Sequence, residues 1–344
     1  MTLPRRLALA LLAVGGLAAP AAAQTVEEFY AGNTVRMLIG YSPGGGYDTY
    51  ARVIARYMGK HIPGNPDVIV ENMPGAGSLT LTNYIANVAP TDGTVIGAVS
   101  RGVSVEPILG QEPVQYDARE LTWIGSATDE ASVCAAWHTS GIENWEEWMA
   151  SGEPFIVGGT GATSDVEVFT RMLIQLFDAN LQLISGYPGG GEMALAMEQG
   201  EIDGRCGWSW SSIVSTQGDW LENGEINILL QLASQSVPGL EDVPLVTDFA
   251  ETDQQRQVLG LVLSRLQIAR PFVAPPGMPE DRADALQQAF MDTLNDPELI
   301  AEVERLELEV NPMHGDDVAA LIDEIYQTPE TVIEMTRQLL AVSE

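Results

Sequence analysis

Apolar residues follow two rhythms along this chain. The run Val35–Ile39 and the runs at 67–72 and 94–99 are short and nearly continuous, which predicts buried strands. Tyr50, Val53, Ile54, Tyr57 and Met58 instead recur at three- and four-residue spacing, which predicts a helix. Glycine turns separate the two patterns. Val35–Ile39 runs into Ser42-Pro43-Gly44-Gly45-Gly46-Tyr47-Asp48 ahead of that helix. The second run leads to Met73-Pro74-Gly75-Ala76-Gly77-Ser78, where Ser78 is expected to cap a helix reaching about Asn87. The third ends at Ser100-Arg101-Gly102. Strand, loop and helix three times over predict a parallel sheet with its loops gathered at one edge. In open α/β sheets that carboxyl edge is where ligands bind.

The middle of the chain repeats the plan. Ser132–Trp137 reads as a strand and Trp145–Ala150 as part of a helix. A strand at 154–158 enters Gly159-Thr160-Gly161-Ala162-Thr163-Ser164, and a helix follows to about Phe177. A run at 181–184 leads to Tyr187-Pro188-Gly189-Gly190-Gly191, and 202–208, with Asp203, Arg205 and Trp208, reads as a short strand giving way to an aromatic loop. Ile226–Leu232 is the next strand. Beyond Pro279 helical periodicity runs almost to the end, broken at Pro297, Pro312 and Pro329. The chain is expected to leave a first lobe near Asp129 and return near Arg270. Lobe 1 is then 24–128 plus 270–344, lobe 2 is 129–269, and the two crossings form a hinge.

A strand, glycines and a helix start leave several main-chain N–H groups aimed at one spot, which attracts an anion. Glycine permits close approach of a ligand, and the helix dipole adds roughly 0.3–1 kcal/mol in favour of negative charge. One such junction is also met as a plain tight turn, and Gly44-Gly45-Gly46 matches neither the P-loop nor the dinucleotide fingerprint. Two of them, one per predicted lobe, suggest a cleft closed over one ligand. Asp48 reads equally well as a helix cap, worth about 1 kcal/mol, and as a ligand contact.

Charge and address narrow the partners. The chain has 48 acidic against 16 basic residues, and Lys60 is its sole lysine. Nucleic acid is therefore not an expected partner, since phosphate binding needs clustered Lys and Arg. Any anionic ligand must be held by local donors against a repulsive field that salt confines to about 8 Å. At the N-terminus Arg5 and Arg6 precede an apolar run from Leu7 to about Ala19, followed by Ala21-Ala22-Ala23. This predicts a signal peptide, residues 1–23, cleaved after Ala23, with the mature protein in the periplasm. The run falls short of the ~18–20 apolar residues of a membrane anchor. Cys134 and Cys206 sit in apolar stretches of the same half, where export makes a disulfide the default and two separate buried thiols the alternative.

Taken in order, Pro43-Gly44-Gly45-Gly46-Tyr47-Asp48 with Ala51-Arg52, Val70-Glu71-Asn72-Met73-Pro74-Gly75-Ala76-Gly77, Asp92-Gly93, Gly159-Thr160-Gly161, Tyr187 with Gly189 and Gly190, and Ala274 to Pro279 resemble the extracytoplasmic solute receptors of tripartite tricarboxylate transporters, the Bug receptors. The resemblance covers nearly the whole mature chain. It implies an α/β, two-lobed periplasmic binding protein fold of the second type, each lobe a mostly parallel sheet flanked by helices. It also implies a small organic acid as ligand and membrane permease subunits as partners, with a receptor acting as a monomer. The loops Gly44 to Asp48 and Thr160 to Ser164 would each hold one carboxylate of the ligand through backbone N–H groups, with Gly77 and Ser78 approaching from the second turn and Asp203 near the cleft. Ser42, Ser100 and Tyr187 join the ligand-binding set by their places in the same loops. Where many relatives carry histidine after the second loop, this chain has Asp165. Tyr47, Arg101, Arg205, Trp208 and Trp210 also depart from the general pattern. An arginine at a strand's carboxyl end can clamp a carboxylate or serve as an ion-pair partner, and the tryptophans can wall a bulky acid or fill core. The fold further implies that Cys134 and Cys206 lie on neighbouring antiparallel strands, one disulfide within the second lobe.

An enzyme is the rival class. His61, His138 and His314 are scattered over different segments, and none has metal-ligand spacing or sits beside a Ser nucleophile motif such as G-x-S-x-G. No catalytic residue, metal site or cofactor is expected. A receptor presenting its carboxylate to a sensor kinase is the alternative within the binding class.

Overall fold

The computed structural model describes residues 24–110 and 113–341, so the expected signal segment lies outside the described residues. The described residues form eleven strands: β1 (Val35–Ile39), β2 (Val68–Asn72), β3 (Val95–Ala98), β4 (Thr122–Ser126), β5 (Ser132–Trp137), β6 (Phe155–Gly159), β7 (Leu181–Ser185), β8 (Gly204–Ser209), β9 (Ile226–Leu232), β10 (Pro271–Ala274) and β11 (Met313–His314). They form two sheets, a six-stranded one in the order β11-β4-β10-β3-β1-β2 and a five-stranded one in the order β7-β6-β8-β5-β9. Helices cover both faces of each sheet, giving the two-lobed α/β fold.

The sheets are mixed. β2, β1 and β3 run parallel, as do β7, β6 and β8, while β10 is antiparallel to β3 and β4, and β5 is antiparallel to β8 and β9. Two of the exceptions, β5 and β10, carry the chain across from the other lobe, and the third, the two-residue β11, is antiparallel to β4. The parallel strands point their carboxyl ends at the gap between lobes, so a strand entering from that gap runs against them.

Strand periodicity sorts the core. Met37 and Ile39 pack with the helices Gly46–Met58 and Glu280–Leu294 on one face of the first sheet, and Leu38 packs with Leu79–Asn87 and Gly315–Ile325 on the other. In β5, Val133 and Ala135 face one layer and Cys134 and Ala136 the opposite one. Each fully buried large apolar side chain contributes on the order of 1.5–3 kcal/mol. Cys134 and Cys206 are register partners on β5 and β8 and form a disulfide.

The tail departs from expectation in one element. The sequence reading puts the segment 270–344 whole in the first lobe, yet the final helix, Glu330–Leu340, buries Val332, Ile333 and Leu340 in the core of the second, beside Val258 and Val262. Its apolar stripe finds there the exposed flanks of the helices Asp253–Leu263 and Asp165–Phe177. The final helix thus ties the tail to the second lobe.

Candidate functional site

Between the carboxyl ends of β1, β3, β6 and β8 lies a narrow cleft. Four helices begin at its wall. Gly44 to Tyr47 contribute the start of Gly46–Met58, Ser164 to Val166 that of Asp165–Phe177, Gly190 that of Gly190–Glu198, and Ser209 that of Trp210–Glu222. In the first of these the earliest helical bond runs from the Thr49 N–H to the Gly45 carbonyl at 3.0 Å, so the amides of Gly46, Tyr47 and Asp48 have no helical partner. Gly46 is a steric requirement here, because a Cβ would fall 2.0 Å from the Ser212 Oγ across the cleft.

The lobes are closed on each other. The Gly77 N–H donates to the Thr160 carbonyl at 2.8 Å, the Thr163 hydroxyl to the Ala76 carbonyl at 2.9 Å, and the Ser42 hydroxyl to Glu192 at 2.7 Å. Gly161 has φ +131°, and a Cβ there would meet the Ala76 backbone at 2.6 Å, so any side chain would wedge the lobes apart.

Three buried arginines and three buried carboxylates form a network behind the cleft. Arg101 donates through Nε to Asp165, through a terminal nitrogen to Glu130 at 3.2 Å, and through the other to the Ser132 hydroxyl at 2.6 Å. Arg265 lies 3.2 Å from both Asp165 and Glu106, and Arg270 lies 3.0 Å from Glu130 while donating to Ser212 at 2.8 Å. Burial alone would lower the Arg101 pKa, but the Asp165 and Glu130 carboxylates and Tyr47 outweigh it and raise it above the ordinary value. Glu106 goes the other way: burial pushes it up to about 7, only partly opposed by Arg265.

Arg205 is different in kind. It is 6% exposed, lines the cleft, and among the described residues has no carboxylate partner; its Nε is buried without any hydrogen bond. Its guanidinium stacks 4.1 Å from the centre of the Trp208 ring. Burial with no counter-charge pulls its pKa down to about 9, which still leaves a cation at neutral pH. An arginine fork so placed is built to take a planar anion edge-on.

Residues 50–337 match the sequence family described as the tripartite tricarboxylate transporter family receptor. The chain belongs to that family. A protein of Cupriavidus necator described as "UPF0065 protein in gbd 5'region" is 24% identical over 335 residues, spanning 95% of this chain and 94% of that one. In fold, the chain resembles the periplasmic binding protein BugD, with a TM-score of 0.71, 21% identity and coverage of 89% of this chain and 97% of BugD. It also resembles MatC (Rpa3494) of Rhodopseudomonas palustris, solved with bound malate, with a TM-score of 0.70, 19% identity and coverage of 90% and 99%.

In this receptor the cleft gathers Gly44, Gly45, Gly46, Tyr47, Arg101, Thr160, Ser164, Arg205 and Trp208 of the residues singled out from sequence. The others stand outside its wall. Asp48 is a clamp on its own loop: its carboxylate accepts the Gly44 N–H at 3.0 Å, Arg52 at 2.9 Å and Asn72 at 2.8 Å. Burial opposes the charge, yet those bonds hold its pKa below the ordinary value. Ser78 does not cap its helix through the side chain; at φ +78° its Oγ accepts the Ser100 N–H at 3.1 Å, joining the second and third turns. The Ser100 hydroxyl in turn accepts the Gly102 N–H at 3.2 Å. Ser42, Gly77, Gly161 and Thr163 serve the contact between lobes, and the Ala162 carbonyl accepts from Arg171 at 2.9 Å. Tyr187 donates its backbone N–H to the Gly159 carbonyl, and burial and then Glu201 raise its pKa. Asp203 lies at the far end of β8 from the cleft, its carboxylate accepting the Ile156 N–H at 2.8 Å, because β8 runs toward the cleft only from Gly204 onward.

Several lining residues were not singled out as ligand contacts: Tyr41, Asp165, Val166, Gly190, Met193, Gly207, Ser209, Ser212, Thr216, Gln217 and Arg270. Gly190 and Asp165 were legible as positions in the glycine junctions. Ser212 and Gln217 carried no local signal, since they reach the cleft only by the direction of the Trp210–Glu222 helix. Trp208 lines the cleft, whereas Trp210 packs against the core beneath it.

Proposed function

We propose that this receptor captures a small organic carboxylate between its lobes, as a monomer in the periplasm after loss of residues 1–23, and delivers it to the permease subunits of a tripartite transporter. The observation that carries the reading is Arg205: a buried guanidinium without a counter-charge, facing a cleft lined by helix N-termini. Leaving such a cation unpaired is unfavourable by several kcal/mol, and a bound carboxylate supplies the missing partner. The malate bound by MatC, a relative in fold, belongs to the same chemical class, and the family's description supports the permease as recipient.

The direct test is calorimetry on the mature protein against small mono-, di- and tricarboxylates, with the corresponding amides as controls. Carboxylates bind and are recovered unchanged, the amides do not bind, and Arg205→Gln loses the heat signal while keeping its circular dichroism spectrum. Equal binding of acids and amides would sink the reading. Delivery is checked separately by solute uptake in cells carrying or lacking the receptor.

A further inference from the structure

We infer that the solute is a monocarboxylate with an uncharged, apolar or aromatic body, and that Asp165 excludes a second carboxylate from the cleft. The inference rests on the carboxylate-receptor reading and narrows it.

Each lobe offers a helix N-terminus where an anion would be favourable, but the two are not equally free. The terminus of Gly46–Met58 leaves the Gly46 and Tyr47 amides without a helical partner, its own first-turn carboxylate, Asp48, being turned to Gly44, Arg52 and Asn72. That of Asp165–Phe177 already carries the chain's own carboxylate, since Asp165 is its first residue, stands in the cleft wall and is held by Arg101 and Arg265. The network arginines already have carboxylate partners. Arg101, Arg265 and Arg270 are matched by Glu106, Glu130 and Asp165, which leaves Arg205 as the one cation in the wall without an anion among the described residues. A single carboxylate neutralises it. A second would be desolvated beside arginines committed elsewhere and would face Asp165, a like charge in a low dielectric.

The rest of the wall favours an uncharged body. Tyr41 and Tyr47 stack at 4.6 Å, and with Val166, Met193 and Trp208 they present apolar and aromatic surface to the cleft. Such surface gains from contact with hydrocarbon or a ring and offers a second carboxylate no cationic partner.

The test is calorimetry at fixed ionic strength with pairs matched in body: hexanoate against adipate, and benzoate against terephthalate. The monocarboxylate of each pair is expected to bind at least about tenfold more tightly, a 1.4 kcal/mol difference. Asp165→Asn should reduce or invert that ratio, while Asp165→Glu, which keeps the charge, should preserve it. The wild-type comparison stands by itself if a variant does not fold. A dicarboxylate binding more tightly than its matched monocarboxylate overturns the inference and leaves the carboxylate reading in place. Failure of both members of every pair to bind a folded receptor overturns that reading as well.

Discussion

Arg101 and Arg205 belong to strand ends of different lobes, both are almost completely buried, and both line the same cleft. Their surroundings give them opposite roles. Arg101 spends its donors on Asp165, Glu130 and Ser132, and these contacts tie the first lobe to the second. Arg205 has an aromatic face beneath it and no anion beside it. One charge is satisfied by the fold and the other is left without an anion among the described residues. Burial by itself therefore does not mark a binding residue; burial without a partner does. The two glycine junctions teach the same lesson. Each has one loop amide taken by its own helix, Gly44 by Asp48 at 3.0 Å and Gly161 by Glu167 at 2.8 Å, but only the second has a carboxylate, Asp165, as the first residue of its helix.

The sharpest way to break the comparison is to remove each guanidinium in turn. Arg101→Met leaves Asp165 and Glu130 short of a partner and is expected to destabilise the protein by about 3–5 kcal/mol, measured by urea unfolding. Arg205→Met should act with the opposite sign on the empty protein, raising its melting temperature because an unpaired buried charge is gone. The same variant should weaken solute binding by about 2–5 kcal/mol in calorimetry. If both variants destabilise equally, the division of roles fails.

Glu106 sharpens the comparison through pH. Its folded pKa of about 7 lies above the ordinary 4.5, so its contribution to stability is fully present below pH 4.5 and is lost as pH rises toward 7. Glu106→Gln should then match the wild type near pH 4.5 and exceed it at pH 8, by at most about 3 kcal/mol. Equal stabilities across that range in denaturant titrations would show that the arginine–carboxylate network carries Glu106 charged without penalty. The smallest effect is expected at Trp208→Leu, which removes the ring under Arg205 and should cost roughly 0.5–2 kcal/mol of solute affinity. An unchanged dissociation constant would mean that Arg205 needs no aromatic support.

Most elements were legible because their signals are local. The alternation of β-branched runs, glycine breaks and helical stripes placed β1, β5 and β9 at their observed bounds and the other parallel strands within a residue or two. β4 escaped notice. Its sequence Thr-Trp-Ile-Gly-Ser is short and partly polar, and it becomes a strand by pairing with β10 and β11, which lie far along the chain. The capping role read into Ser78 failed for a related reason, since the Ser100 N–H that claims its hydroxyl is brought there by the neighbouring strand.

By itself the sequence determined the elements, the two glycine junctions and the strongly acidic balance, all of which depend on composition or on spacing over a few residues. The tertiary structure alone decided which charges meet. Asp165 reaches Arg101 across 64 positions and Arg265 across 100, and Glu130 reaches Arg270 across 140. Ion pairing depends on distance through space and on how much water each group has lost, and neither is written in the order of residues. Arg101 and Arg205 are therefore equivalent candidates in the sequence, and they are told apart only where the fold supplies anionic partners to one and withholds them from the other.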